Sequence, residues 1–320
     1  MKIINLDARA LNPGDLSWDC LNQFGEVTLH QHTDTVEETI SRIQGHDIVL
    51  VNKVPITEEV LAACPSIKLI CVQATGYNIV DVDAAARRGV PVCNVPAYGT
   101  AAVAQFTLAL MLELCHQIGL HSAFVHDGKW CRTANFCFWD TPQMELGGKN
   151  LGIIGFGRIG QAVAKLAQAF GMNVIAYSRS QRPGAEEIAP YVSLDELLAK
   201  SDFISLHCPL FPENTKMINA ETIAKMKDGA ILINTSRGGL VDEQALADAL
   251  HSGKLAGAAV DVITQEPMVW DNPLLNAPNC VITPHIAWAP TESRQRLLDC
   301  VVENIRCFLA GTPQNVVNFK

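Results

Sequence analysis

Short apolar runs alternate with amphipathic stretches along most of the chain. Lys2–Leu6, Val27–His30, Ile48–Val51, Leu69–Val72 and Pro91–Asn94 are too short for helices and rich in Ile, Val and Leu, so they predict buried strands. Helical patterns fall between them, for example over Thr57–Ala63 and over Val82–Arg88, where Gly89 supplies a stop. Strands and helices alternating at this spacing predict a parallel sheet. Val103, Phe106, Leu110 and Leu114 then recur at near-helical spacing and predict a long helix from about Thr100 to Ile118. From Asp127 to Gly148 the periodicity disappears. Trp130, Phe136, Phe138 and Trp139 in that stretch are too many large apolar groups to leave in water; the stretch reads as a loop or arm outside the sheet, and a subunit interface is one way to cover it. A second α/β unit opens at Asn150, with strands expected at Leu151–Ile154, Val174–Tyr177, Phe203–Leu206, Ile231–Asn234, Ala258–Asp261 and Val281–Thr283. A final helix, about Glu292 to Leu309, stops before Gly311.

The first strand of the second unit runs straight into Gly155, Gly157 and Gly160, spaced G-x-G-x-x-G. Ile159, Val163, Leu166 and Phe170 then share one helical face, and Gly171 follows as a stop. In a strand–turn–helix setting each glycine has a job. The first permits the tight turn, the second lets backbone approach a pyrophosphate, and the third lets helix pack on strand. The helix N-terminus adds free N–H groups and a favourable dipole. A dinucleotide site is therefore expected here, and six strands are the count of a complete dinucleotide fold.

Past the next strand, where an acid ordinarily holds the ribose 2′-hydroxyl, the chain reads Ser178-Arg179-Ser180, with Arg182 beyond. Loss of the carboxylate removes repulsion toward a 2′-phosphate, and Arg179 offers a charge-assisted contact to it. The reading favours NADP(H), with NAD(H) left open.

Composition narrows the class without changing the picture. The 320 residues suffice for about two domains, and 48% hydrophobic with 18% charged residues suits α/β units with full cores. A net charge of −9 without a basic run argues against a nucleic-acid surface. The longest apolar stretch, Ala101 to Cys115, is interrupted by Gln105 and Glu113 and is too short to span a bilayer, so no membrane partner is expected. Eleven cysteines without C-x-x-C or metal-ligand spacing predict free thiols in a reducing cytoplasm, Cys71, Cys93, Cys115 and Cys300 among them, and no metal.

Three further polar groups stand where strands are expected to end. Arg237, within Asn234-Thr235-Ser236-Arg237-Gly238-Gly239, follows the fourth strand of the second unit and could grip a carboxylate through a planar fork. Asp261 ends the fifth, with Glu266 shortly after it. His285 follows the sixth, in Thr283-Pro284-His285-Ile286-Ala287-Trp288. A carboxylate beside that imidazole would orient it and keep a proton available near neutral pH.

With these residues in place the chain resembles the D-isomer-specific 2-hydroxyacid dehydrogenases, essentially end to end. The resemblance rests on Ala74–Asn78, Gly155–Gly160, Asn234–Asp242, Asp261–Pro267 and Pro284–Trp288. Leu11–Trp18 and His285–Trp288 are most similar to the glycerate dehydrogenase (hydroxypyruvate reductase) branch. The resemblance implies a Rossmann dinucleotide-binding domain, residues 100–288, inserted into a flavodoxin-like substrate-binding domain, residues 1–99 and 289–320. Both would be doubly wound parallel sheets, with long helices near Thr100 and Glu292 crossing between them. It further implies a homodimer.

For the site, the resemblance implies His285 as acid/base, Glu266 as its partner and Arg237 as the carboxylate-binding group. Thr75, Gly76 and Tyr77 would form a backbone-lined loop for the substrate carboxylate, with Trp288 narrowing the pocket. Arg158 and Ile159 would lie at the pyrophosphate, and Cys208, Pro209, Thr235, Ser236 and Asp261 around the adenosine and nicotinamide. The implied reaction is reversible hydride transfer to a small 2-oxo acid, hydroxypyruvate or glyoxylate preferred. Phosphoglycerate-type substrates and a nucleotide-sensing corepressor role remain as alternatives.

Overall fold

The structure is a computed structural model and describes residues 1–319. The chain forms two compact units, residues 1–99 with 288–320, and residues 100–287.

In the first unit, β1 (Lys2–Asn5), α1 (Ala8–Leu11), β2 (Glu26–Leu29), α2 (Val36–Ile43), β3 (Ile48–Val51), α3 (Glu58–Ala63), β4 (Leu69–Val72), α4 (Val82–Arg87) and β5 (Val92–Cys93) follow one another. The strands pair in parallel in the order β2-β1-β3-β4-β5. β3 and β4 are buried throughout, which is why they read as unbroken apolar runs rather than alternating ones. Ile4, Val49 and Ile70 face one core, with Val60 of α3. Ile3, Leu50 and Cys71 face the other. Thr35, Thr57 and Asp81 cap α2, α3 and α4 by accepting from backbone N–H groups of the first turn. Thr57 is thus the cap of α3, not its first residue.

In the second unit, α5 (Thr100–His116) and α6 (Ile118–His126) precede β6 (Asn150–Ile154), α7 (Arg158–Ala169), β7 (Asn173–Tyr177), α8 (Leu194–Lys200), β8 (Phe203–Leu206), α9 (Ala220–Ala224), β9 (Ala230–Asn234), α10 (Glu243–His251), β10 (Leu255–Val260) and β11 (Cys280–Ile282). The expected single helix to Ile118 is corrected here. Gln117 adopts a left-handed φ of 43°, which ends α5 at His116, and α6 leaves the break with no buried residue. β10 starts three residues before the expected Ala258, because Ala256 and Gly257 carry too little apolar bulk to announce a strand.

The six strands are parallel in the order β11-β10-β9-β8-β6-β7. α5 and α7 cover one face, burying Met111, Val163 and Ala167 against Ile153 and Ile233. α8, α9 and α10 cover the other, burying Leu198, Ile223 and Leu246 against Ile204 and Leu232. The chain reverses direction across the sheet between β7 and β8, so the switch point lies at the carboxyl ends of β6 and β8. Beyond β7 the edge continues only as a one-residue parallel bridge, Ala176 to Tyr191. The last helix, α11 (Thr291–Leu309), returns to the first unit and packs Leu297, Leu298, Val301 and Ile305 on its sheet.

Among the described residues all eleven cysteines are free, with Cys71, Cys93 and Cys115 buried and Cys300 half-buried. No group of metal-ligating side chains occurs among them, and no single helix is long and apolar enough to cross a membrane.

Candidate active site

The glycine loop sits at the switch point and its three glycines are used differently. Gly155 has φ +95°, and a Cβ there would fall 2.5 Å from the Cys208 nitrogen. A Cβ on Gly160 would lie 2.3 Å from the Gly155 carbonyl oxygen, so this position allows helix α7 to sit against the turn. At Gly157 a Cβ would meet nothing within 4 Å, so this position faces open space. Gly157 is also the cap of α7 and contributes no side-chain bond. The first-turn N–H groups of Arg158, Ile159 and Gly160 therefore lack a side-chain acceptor at the helix's positive end. An open glycine in front of an uncapped twelve-residue helix fits a pyrophosphate.

The neighbouring loops carry the other expected cofactor residues. Ser178 and the exposed Arg179 follow β7, and the Arg179 guanidinium lies over the Phe211 ring, 4.8 Å from its centroid. Cys208 is half-buried, and burial pushes its thiol above the usual range. Pro209 is exposed, and its carbonyl accepts from the Asn214 amide at 2.8 Å. Thr235 is buried and meets the Thr107 hydroxyl at 3.1 Å. Because Thr107 donates to the Val103 carbonyl (2.8 Å), Thr235 is the donor in that pair. Ser236 donates to the Leu206 carbonyl at 2.9 Å.

His285, Glu266 and Arg237 all follow strand ends of this same sheet. Glu266 Oε2 lies 2.7 Å from His285 Nδ1, and about a third of each side chain is exposed. His285 holds a left-handed φ of 55°, a conformation that costs a non-glycine residue ~1–3 kcal/mol. Asp261 imposes it. The Asp261 carbonyl accepts from the His285 N–H (2.8 Å), and its buried carboxylate accepts from Thr283 Oγ1 (2.6 Å), Ile286 N–H and Ala287 N–H (both 2.8 Å). Burial raises the Asp261 carboxyl above the usual carboxylate range, opposed by those three bonds and by His285. Beyond the cofactor contact expected of Asp261, its carboxylate anchors the histidine loop.

The arginine turn is fixed from both ends by Asn234. Its Oδ1 accepts from Ser236 N–H (3.0 Å) and its Nδ2 donates to the Arg237 carbonyl (2.9 Å). A Cβ on Gly238 would fall 1.9 Å from the Ile263 carbonyl carbon, so the turn lies directly on the segment that leads to Glu266. Glu243, the first residue of α10, steadies that segment by accepting from Thr264 N–H (2.6 Å) and from the Asn272 amide (2.8 Å). The Arg237 side chain is exposed, with Nη1 donating to the Ser236 carbonyl. Sequence reasoning did not assign Asn234, Glu243 or Thr107 a part. The only signal for Asn234 is an amide closing a run of apolar strand residues, and Glu243 and Thr107 carry none.

The remaining expected residues belong to the first unit. Thr75 and Tyr77 are exposed on the loop after β4, with Gly76 between them. That loop is tied to the segment just after β5: Thr75 Oγ1 donates to the Val95 carbonyl (2.8 Å), and the Asn94 amide donates to the Thr75 carbonyl (2.7 Å). Trp288 is half-buried and meets Tyr98 edge to face, with centroids 6.4 Å apart.

Comparison with known proteins meets this geometry from outside. Residues 108–287 match the family described as D-isomer specific 2-hydroxyacid dehydrogenase, NAD binding domain. The chain belongs to that family. It is 56% identical to a hydroxypyruvate reductase of Blautia hydrogenotrophica, over 99% of this chain and 100% of that one. It is 41% identical to a glycerate dehydrogenase of Methylorubrum extorquens, over 99% and 98% of the two chains. Among solved structures it superposes on an acyclic imino acid reductase in complex with NADPH and D-Arg, with a TM-score of 0.85 and 33% identity over 99% of this chain and 100% of that one. The protein is an oxidoreductase of the 2-hydroxyacid dehydrogenase class that takes a nicotinamide dinucleotide.

Proposed function

We propose that the protein reduces a short 2-oxo acid, hydroxypyruvate or glyoxylate, to the 2-hydroxy acid, with His285 as acid/base, Glu266 as its partner and Arg237 as the carboxylate-binding group. The observation that carries this reading is the 2.7 Å contact of Glu266 with His285 Nδ1. It commits Nδ1–H to the carboxylate and leaves Nε2 as the atom that gives or takes a proton. The bound nicotinamide supplies the hydride. His285 Nε2 donates its proton to the forming alkoxide oxygen, and Glu266 stabilises the imidazolium before that transfer. Arg237 binds the substrate carboxylate and draws charge from the adjacent carbonyl. In the oxidising direction His285 takes the hydroxyl proton back.

Backbone N–H groups of Thr75, Gly76 and Tyr77 are proposed to receive the carboxylate, and Trp288 to limit substrate length. Gly155, Gly157, Arg158, Ile159 and Gly160 are proposed to hold the pyrophosphate, with Cys208, Pro209, Thr235, Ser236 and Asp261 around the rest of the dinucleotide. The names of the two curated relatives support hydroxypyruvate, a three-carbon substrate. Ser178 and Arg179 support NADP(H) over NAD(H), since neither repels a 2′-phosphate. The exposed apolar side chains of the arm and of the preceding α6 support a homodimer: Phe136 is 90% exposed, Trp139 65% and Ile118, in α6, 62%. The free, partly buried thiols support a cytoplasmic location.

The deciding experiment follows nicotinamide absorbance while purified protein meets hydroxypyruvate or glyoxylate with NADPH or with NADH. Rapid oxidation with NADPH is expected. Strong preference for NADH refutes the cofactor assignment alone, whereas no turnover with any short 2-oxo acid leaves a nucleotide-binding role as the surviving reading.

A further inference from the structure

We propose that Phe211 is a specificity-determining residue for the cofactor, acting as the platform that holds Arg179 where a 2′-phosphate would be read. The proposal rests on the assignment of Arg179 as the 2′-phosphate contact. Its basis is the topology. β7 and β8 flank β6, so the loops after β7 and β8 stand on either side of the glycine loop that follows β6. Strands two places apart lie ~9–10 Å from each other. The Arg179–Phe211 contact, 4.8 Å from guanidinium carbon to ring centroid, bridges that gap.

The backbone that carries the ring is held by its own loop. Phe211 N–H donates to Asn214 Oδ1 (2.6 Å), Thr215 Oγ1 donates to the Phe211 carbonyl (3.1 Å), and Asn214 Nδ2 ties back to the Pro209 carbonyl. The base of the loop, at Cys208, lies against Gly155 so closely that a Cβ would not fit. The Phe211 backbone is thus tied to the frame of the glycine loop, and the ring contact refers Arg179, on a separate strand end, to the same frame. A contact through the aromatic face uses none of the guanidinium's N–H donors, so these stay available for an anion. An arginine free in solvent would have to be ordered when the nucleotide binds; one already resting on a ring needs less ordering.

The test is fluorescence titration of the full-length protein with NADPH and NADH, comparing wild type, Phe211→Ala, Phe211→Tyr, Arg179→Ala and the Phe211→Ala/Arg179→Ala double variant. Phe211 is 39% exposed, and Phe211→Tyr keeps the ring, so it controls for damage to the loop. Phe211→Ala is expected to weaken NADPH about two- to fivefold, the size of an exposed cation–π contact, and to leave NADH unchanged. Phe211→Tyr should bind like wild type, and Phe211→Ala should add nothing once Arg179 is removed. Equal weakening of both nucleotides by Phe211→Ala, or no change in either, overturns the proposal while the cofactor assignment stands. An unchanged NADPH-to-NADH ratio in Arg179→Ala overturns the assignment and the platform together.

Discussion

The histidine loop, residues 283–287, and the aromatic arm, residues 127–148, with α6 before it, contain no strand among the described residues, yet they are held in opposite ways. The loop has an internal anchor: one buried carboxylate, Asp261, satisfies two backbone N–H groups and a hydroxyl, while its own carbonyl takes the His285 N–H. The arm has surface bonds, such as the Trp130 indole to the Phe136 carbonyl (3.0 Å) and the Lys129–Asp140 pair, but α6 buries no residue. Buried polar bonding fixes a functional group within one chain. Exposed apolar surface of this extent is the kind that marks an interaction site.

This contrast can be broken at either end. The largest effect is expected from His285→Ala, which should lower kcat by about a hundredfold to ten-thousandfold through loss of proton transfer. The melting temperature should hardly move, because the side chain is 30% exposed and its loop is anchored elsewhere. Steady-state rates together with a melting curve would show it, and near-normal turnover would remove His285 from the chemistry.

Asp261→Ala separates anchoring from chemistry. It strands two backbone donors, those of Ile286 and Ala287, and should cost about 2–4 kcal/mol of stability along with turnover. Urea unfolding measures the first effect. A variant as stable as wild type would mean that the loop does not depend on this carboxylate.

The arm should behave otherwise. Phe136→Ser with Trp139→Ser is expected to shift a dimer toward monomer, since each side chain forfeits about 1.5–3 kcal/mol of burial at an interface. Multi-angle light scattering reads the mass directly, and a wild-type monomer would dispose of the subunit-cover argument.

The last effect is a pH dependence beside the glycine loop. Burial pushes His207 down to about 3, and its Nε2 meets Ser205 Oγ at 2.8 Å. The folded state thus keeps this ring neutral, while the unfolded chain takes up its proton near pH 6.5. Above pH 6.5 both states are neutral and nothing is lost. Between about 6.5 and 3 the unfolded state binds more protons, so stability falls as pH falls, by up to about 1.4 kcal/mol per pH unit. His207→Asn should flatten that part of the stability curve, and urea midpoints at pH 7 and pH 5 would test it. Identical slopes in the two proteins would show that the ring is not the source.

Most strands and the glycine turn were legible because fully buried parallel strands and a G-x-G-x-x-G turn both leave dense local signals. Ile48–Val51, Leu69–Val72 and Phe203–Leu206 occupy the strands expected of them. The break at Gln117 was not legible, because the apolar run passes straight through it and only a backbone angle marks the end of the helix. β10 was placed late because Gly257 lies inside it. Strand order was hidden as well. Nothing local to Phe203–Leu206 says that it crosses to pair with β6, leaving Tyr191 as a one-residue remnant at the far edge.

For the site, residue type and position in the chain marked His285, Glu266, Arg237 and the glycines as candidates at expected strand ends, and the family resemblance supplied their implied roles. Their support was not legible. The bonds of the Asp261 carboxylate to the histidine loop leave no local signal, and Asn234, Glu243 and Thr107 went unassigned. These groups act through bonds to residues up to 128 positions away, as between Thr107 and Thr235. The sequence alone determined which chemical groups the protein owns and which strand ends they follow, because burial and turn geometry write themselves into local pattern. Only the tertiary structure decided which of those groups hold their neighbours, because a carboxylate or an amide is the same letter whether bonded or free and differs only in what folding places within 3 Å of it.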